Sequence, residues 1–329
     1  MSASKKTRLS VLDLVPIHRG QQPNQAIESM VQLVRATEKL GYHRYWIAEH
    51  HNMPSIISSA TVILIKHALE NSETIRVGAG GIMLPNHSPL VVAEQFGTMA
   101  TIYPNRIDLG LGRAPGTDQL TAQALRRSRR DSVHSFPNDV KDLITYFGPE
   151  EQQSNVKAFP GVGTNVPIYI LGSSTNSAIL AAEMGLPYSF AGHFAPSQMK
   201  EAIALYRASF KPSQFLQKPY VIIGLNVIAA DTHEEVEVLF AELFQQFLNT
   251  SIVHNKPFED LSPAEQEQIS SQMGIMISGD QDAVTSQLID FQKAFEADEL
   301  MVGSYIYNQE KKIRSYEILK EAYLSISTH

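Results

Sequence analysis

The sequence predicts a (β/α)8 TIM barrel. Three observations lead there. Strand-like and helix-like runs alternate along the whole chain. The strand-like runs are near-continuous apolar stretches rather than clean alternations, which suits parallel strands covered on both faces. There are eight of them, each followed by a helix-like stretch. A right-handed repeat of that kind closes naturally into a barrel. An open doubly wound sheet shares the same local pattern and is the alternative.

The elements follow in order. "RLSVLDLVP" (8–16) is the first strand. Ile27, Met30, Val31, Val34 and Leu40 then recur at helical spacing before Gly41, a natural C-terminal stop. "YHRYWIAE" (42–49) is the second strand and "TIRVGAGGIML" (74–84) the third. Three glycines inside that third run mark a bulge or a flat ligand lying against the backbone. "SPLVVAEQFGTMATIYPNR" is amphipathic and leads into "RIDLGLGRA" (106–114). "VPIYILGSS" (166–174), "PYSFAGHF" (187–194), "YVIIGLNVIAA" (220–230) and "DELMVGSYIY" (298–307) complete the set. We expect one domain over residues 1–329. Two segments exceed a plain barrel, at about 115–165 and 245–278, and are expected as helical insertions over the C-terminal mouth.

Composition narrows the function. The chain has 329 residues, 43% hydrophobic and 19% charged, with a formal net charge of −7. That charge favours neither nucleic acid nor an anionic membrane as partner. The absence of cysteine removes disulfides, thiolate nucleophiles and Cys-bound metal. "MSASKKTRLS" lacks the apolar core of a signal peptide, and no apolar run approaches the roughly 20 residues of a membrane span. The expectation is a cytoplasmic protein.

In an α/β barrel, side chains at the C-terminal strand ends converge on one face. The second strand ends in Glu49, His50 and His51, the third in Asn86 and His87, the fourth in Arg113, and the sixth in His193. The fifth ends in "GSSTNS", where hydroxyls can cap the next helix. The free N–H groups and dipole of that helix can also hold a phosphate. Against these readings, a lone histidine commonly serves a loop, and Arg113 can bind a structural carboxylate. "RRSRR" (126–130) reads as a solvated helix face, and Trp46 as core. "GVGTN" (161–165) precedes a strand rather than following one, so it is no dinucleotide loop.

Together these residues make the chain resemble the bacterial luciferase-like flavin monooxygenases, over nearly its full length. The likeness is carried by "YWIAEHHNMP", "VGAGGIMLPNHSPLVVAEQ", "NRIDLGLGRAPGTD", "LGSSTNSAILAAEMGLPYSFAGHF" and "DELMVGSYIYN". It is nearest to the homo-oligomeric luciferase-like subgroup. The resemblance implies FMN at the C-terminal mouth. It implies that His50 matches the family's catalytic histidine and His51 its neighbour. Gly80 and Gly81 match its non-prolyl cis peptide beneath the flavin, and Arg113 its arginine on the phosphate side. Ser173, Ser174, Asn176 and Ser177 would flank the phosphate. Glu49, His87 and His193 remain candidate substrate-side groups, and Glu49 or His51 would fix the tautomer of His50. Two positions depart from luciferase: Gly112 replaces a reactive cysteine and Gly172 an acidic residue, which bears on light emission more than on flavin binding.

The implied reaction takes reduced FMN from a separate NAD(P)H:flavin reductase. It then moves one oxygen of O2 to a small organic substrate through a C4a-peroxyflavin. A homodimer is implied, and no metal. Three rival readings stand beside this one. They are an F420-dependent oxidoreductase on the same barrel, a non-catalytic flavin-binding protein, and a metal-dependent hydrolase using Glu49, His50, His51 and His193.

Overall fold

The computed structural model of the chain describes residues 7–18, 20–114, 116–125, 132–250 and 273–326, together with residue 262. The strands are β1 (Arg8–Asp13), β2 (Arg44–Ile47), β3 (Arg76–Met83), β4 (Ile107–Gly112), β5 (Ile168–Gly172), β6 (Tyr188–Phe190), β7 (Val221–Ala229), β8 (Met276–Gly279) and β9 (Glu299–Gly303). β1 to β6 pair in sequence order, β6 pairs β7, β7 pairs β9, and β9 returns to β1. Every pairing is parallel. The eight-stranded ring is therefore closed, and the open-sheet alternative is set aside.

β8 is a correction. The sequence reading placed residues 276–278 inside an insertion. They instead form a short ninth strand that pairs only with the far end of β7, from Asn226 to Ala229, outside the ring. Four residues with mixed burial carry too little pattern to announce a strand. The rest of the 245–278 reading falls mostly on residues 251–261 and 263–272, outside the described residues.

Helices clothe the ring: α1 (Pro23–Lys39), α2 (Thr61–Glu70), α3 (Pro89–Ile102), α4 (Gln119–Leu125), α5 (Ser132–Phe147), α6 (Thr175–Met184), α7 (Met199–Ser209), α8 (His233–Thr250), α9 (Gln281–Phe295) and α10 (Gln309–Ile326). α1 shows why they form. Pro23 opens it, the Gln25 side chain accepts from the Gln22 N–H at 2.8 Å, and Gly41 at φ +70° ends it. Met30, Leu33 and Val34 lie on its buried face. Within 115–165, α5 packs on α3 as a barrel helix, and Gly116, Thr117 and Asp118 are the described residues of the segment that line the cavity. No helix among the described residues is long and apolar enough to cross a membrane.

The barrel interior is layered. At the bottom, Arg44 Nη1 meets Asp108 Oδ2 and Arg44 Nε meets Glu299 Oε1, each at 2.8 Å, all three side chains buried. Arg76 adds a second pair to Asp108, and the Tyr220 hydroxyl donates to Glu299 Oε2 at 2.8 Å. Above this sit Leu12, Trp46 and Met301, which form the floor of the site.

Candidate active site

Above that floor lies a cavity of about 790 Å³. Its wall brings together His50, His51, Gly80, Arg113, Ser173, Ser174, Ser177 and His193. These come from the ends of β2 to β6, as convergence at a barrel mouth requires. Glu49, Gly81, His87 and Asn176 are not part of that wall. Trp46 is fully buried as expected of core, yet it also lines the cavity.

His50 faces the cavity, and its Nδ1 is buried without a hydrogen-bond partner among the described residues. Burial lowers its pKa; nearby Glu49 opposes this, while His51 adds to it. His193 stands close by. Burial, then the neighbouring His50, brings its pKa down to about 4. Both imidazoles are therefore neutral at neutral pH, able to accept or donate a proton.

Glu49 turns away from the cavity and is fully buried. Its Oε1 lies 2.8 Å from His51 Nε2 and 2.9 Å from His87 Nε2. Its Oε2 accepts from the Met83 N–H at 3.0 Å. Burial alone would raise its pKa, but the bonds from His51, His87 and Met83 outweigh this and hold it at about 2. So Glu49 holds His51 and ties the ends of β2 and β3 together. The set Glu49, His50, His51 and His193, on which the hydrolase reading relied, does not gather on one point. The donor atoms of Glu49, His51 and His87 do lie within 4.8 Å of one another, so this is a grouping with metal-ligand spacing among the described residues.

Arg113 and the start of α6 form another part of the lining. Arg113 is exposed at the end of β4, with no ion pair or hydrogen bond to a described residue. Ser174 occupies the N-cap of α6 with extended backbone and its own hydroxyl makes no cap bond, while Gln198 Oε1 accepts from the Thr175 N–H at 3.2 Å. Ser177 Oγ donates to the Ser174 carbonyl at 2.7 Å and meets the Tyr188 hydroxyl at 3.0 Å. The hydroxyls of "GSSTNS" thus do not cap the helix, and the start of α6 lines the cavity together with Arg113.

The glycines of β3 behave as their number foretold. The ladder to β4 shifts register between Ala79 and Ile82, and the Gly80–Gly81 peptide is cis. A Cβ on Gly80 would lie 2.8 Å from Leu12 Cδ1 and 2.9 Å from Trp46 Cβ. One on Gly81 would lie 2.6 Å from the Gly110 carbonyl oxygen.

Several cavity residues escaped the sequence reading: Thr117, Asp118, Ser189 and Tyr305. Ser189 sits inside a strand, and the others lie just past strand ends in polar loops. A stricter count of inward positions along each strand would have found Ser189.

The family model described as luciferase-like monooxygenase matches residues 7–297. The chain belongs to that family. A luciferase-like monooxygenase of Escherichia coli strain K12 is 44% identical over 322 residues, covering 95% of this chain and 96% of its own. The N-acetyl-S-alkylcysteine monooxygenase of Bacillus subtilis strain 168 is 30% identical over 332 residues, covering 97% and 98%. Among solved structures, apo-MsnO8 superposes with a TM-score of 0.86 at 33% identity, covering 97% of this chain and 98% of that one. This luciferase-like monooxygenase is accordingly an oxygen-using, flavin-dependent enzyme on a closed (β/α)8 barrel.

Proposed function

We propose that the enzyme uses reduced FMN, delivered by a separate NAD(P)H:flavin reductase, to place one oxygen atom of O2 on a small organic substrate. The observation that carries this is the single cavity with Arg113 and the α6 N-terminus on one wall and two neutral imidazoles, His50 and His193, on the other. Its volume of about 790 Å³ lies within the range of cofactor sites. The residues fit the flavin. Arg113 and the first-turn N–H groups of α6 hold the phosphate dianion. Gly80 lets a flat ring approach the strand. When bound, reduced FMN supplies the activation of oxygen.

The chain's own groups supply the rest. His50 exchanges a proton with the reacting oxygen through a ring nitrogen of its neutral imidazole. His51, held by Glu49, flanks it. Leu12, Trp46 and Met301 exclude water from below. Glu49 and His87 act behind the wall rather than on substrate. The enzyme works in the cytoplasm as a homodimer. Large apolar side chains support that assembly: Ile63 on α2 is 68% exposed and Ile102 on α3 is 55% exposed. Light scattering at twice the 36.5 kDa chain mass checks this.

Titration of the apo-enzyme with FMN and then with reduced FMN without air tests the cofactor. Tight binding of the reduced form, followed by oxygen consumption coupled to a flavin transient, supports the reading. Binding of F420 in place of FMN would move the enzyme to hydride transfer. Flavin binding with no oxygen consumption would make it a binding protein, and metal in the purified protein with no flavin affinity would revive the hydrolase.

A further inference from the structure

Beside the active-site cavity, three buried polar atoms have no hydrogen-bond partner among the described residues: His193 Nδ1, Asn226 Oδ1 and Ser304 Oγ. All three residues line one small cavity of about 10 Å³, between β1, β7 and the end of β9. His193 lines both this cavity and the large one beside it.

The orientation of Asn226 is fixed. Its Nδ2 donates to the carbonyls of His193 and Met273, each at 2.8 Å. A flipped amide would set oxygen against two carbonyl oxygens. Its Oδ1 is therefore an acceptor, in a side chain only 2% exposed. Glycine keeps the neighbouring strands bare. A Cβ on Gly303 would lie 3.4 Å from Asn226 Oδ1, and one on Gly224 would lie 2.4 Å from His193 Nδ1. The space takes one small polar guest. A water needs roughly 10–15 Å³ and about three polar partners, which this cavity supplies.

We propose that one ordered water binds here, bridging His193 Nδ1, Asn226 Oδ1 and Ser304 Oγ, and that it fixes the tautomer of His193. The hydrogen count decides which tautomer. If the Ser304 hydroxyl donates to the water, the water donates both its hydrogens, to Asn226 Oδ1 and to His193 Nδ1. No buried donor is then wasted. If Nδ1 carried the proton instead, one hydrogen, of the water or of the Ser304 hydroxyl, would be left without an acceptor among the three groups; Asp13, also in the lining, is already engaged by the Val15 N–H and the Tyr45 hydroxyl, and buried orphan donors are rare. The ring proton therefore sits on Nε2, which leaves His193 a fixed donor toward the active-site cavity. Ser304 and Asn226 act as positioning residues through the water. That His193 donates to a substrate oxygen rests on the proposed function; the water and the tautomer do not.

The test uses the whole enzyme. A crystal structure at about 1.5 Å should show one water within roughly 2.6–3.2 Å of all three atoms. ¹⁵N imidazole spectra should show His193, assigned by its loss in His193→Gln, as the Nε2–H tautomer. Ser304→Thr keeps the hydroxyl and should keep that spectrum. Ser304→Val has the same shape without it and should give a mixture of tautomers. A dry cavity, an Nδ1–H tautomer, or identical spectra in the Thr and Val variants would each overturn the proposal. If Ser304→Val does not fold, the wild-type density and spectrum decide alone. Loss of flavin binding in wild type would overturn the proposed function and leave both of these readouts standing.

Discussion

Glu49 is bonded to His51, at 2.8 Å, and not to His50. The adjacent carboxylate faces backward into the wall, so His50 is left with a buried, unpartnered Nδ1 in the cavity. Three consecutive ionisable residues thereby take different places. Glu49 anchors, His51 is anchored, and His50 stays available to ligand.

Glu49 makes stability depend on pH. Its folded pKa of about 2 lies below the ordinary carboxylate value of 4.5. Its contribution is present above about pH 4.5 and is lost as pH falls toward 2. A shift of that size corresponds to at most about 3 kcal/mol. Urea unfolding should find Glu49→Gln less stable than wild type at pH 7, by roughly 2 kcal/mol. The gap should narrow steadily below pH 4.5. A gap that stays constant down to pH 3 would show that the carboxylate charge is not what holds His51 and His87.

His50 should matter to turnover and not to affinity. Replacing a proton-transfer group typically costs on the order of 10²–10⁴ in rate. His50→Ala should therefore lose at least about a hundredfold in oxygen transfer while its FMN affinity stays within about threefold. Because burial lowers the pKa of His50, wild-type activity should persist below pH 6.5 and fall only at more acid pH. Stopped-flow turnover across pH, beside a binding titration, separates these outcomes. A collapse of FMN binding would assign His50 to the cofactor instead.

Arg113 should read the phosphate alone. A charged hydrogen bond is worth about 1.5–3 kcal/mol, so Arg113→Ala should weaken FMN roughly 10- to 100-fold. Riboflavin, which lacks the phosphate, should bind wild type and variant alike. Equal losses for both ligands would place Arg113 against the ring.

Much of the architecture was legible because parallel strands bury both faces. Runs such as "YVIIGLNVIAA" are apolar but for Asn226, and all nine residues of β7 are buried. The mouth residues were legible for a related reason: polar side chains directly after such runs, as at His50 or Arg113, have nowhere else to go. What stayed hidden depends on side-chain direction. Sequence spacing put Glu49 beside His50 but could not show that it turns toward His87, 38 residues on. The short strand β8 and the water cavity also rest on contacts distant in sequence, Asn226 with Met276 and Asn226 with Ser304.

Gly81 matches the family pattern and Gly112 departs from luciferase, and the two differ in what a side chain would meet. A Cβ at Gly112 would meet Met83 Sδ at 2.6 Å, at the mobile end of a flexible side chain. A Cβ at Gly81 would meet the backbone of Gly110 at 2.6 Å, across the β3–β4 ladder. Methionine can change rotamer at small cost, whereas a paired strand cannot retreat. Gly112→Ala should therefore cost under about 1 kcal/mol and keep FMN binding, and Gly81→Ala should cost about 1–3 kcal/mol and weaken it. Thermal melts with and without FMN measure both. If Gly112→Ala proves the more damaging, Met83 is locked in place, and a side chain at position 112 would be excluded by packing rather than by chemistry.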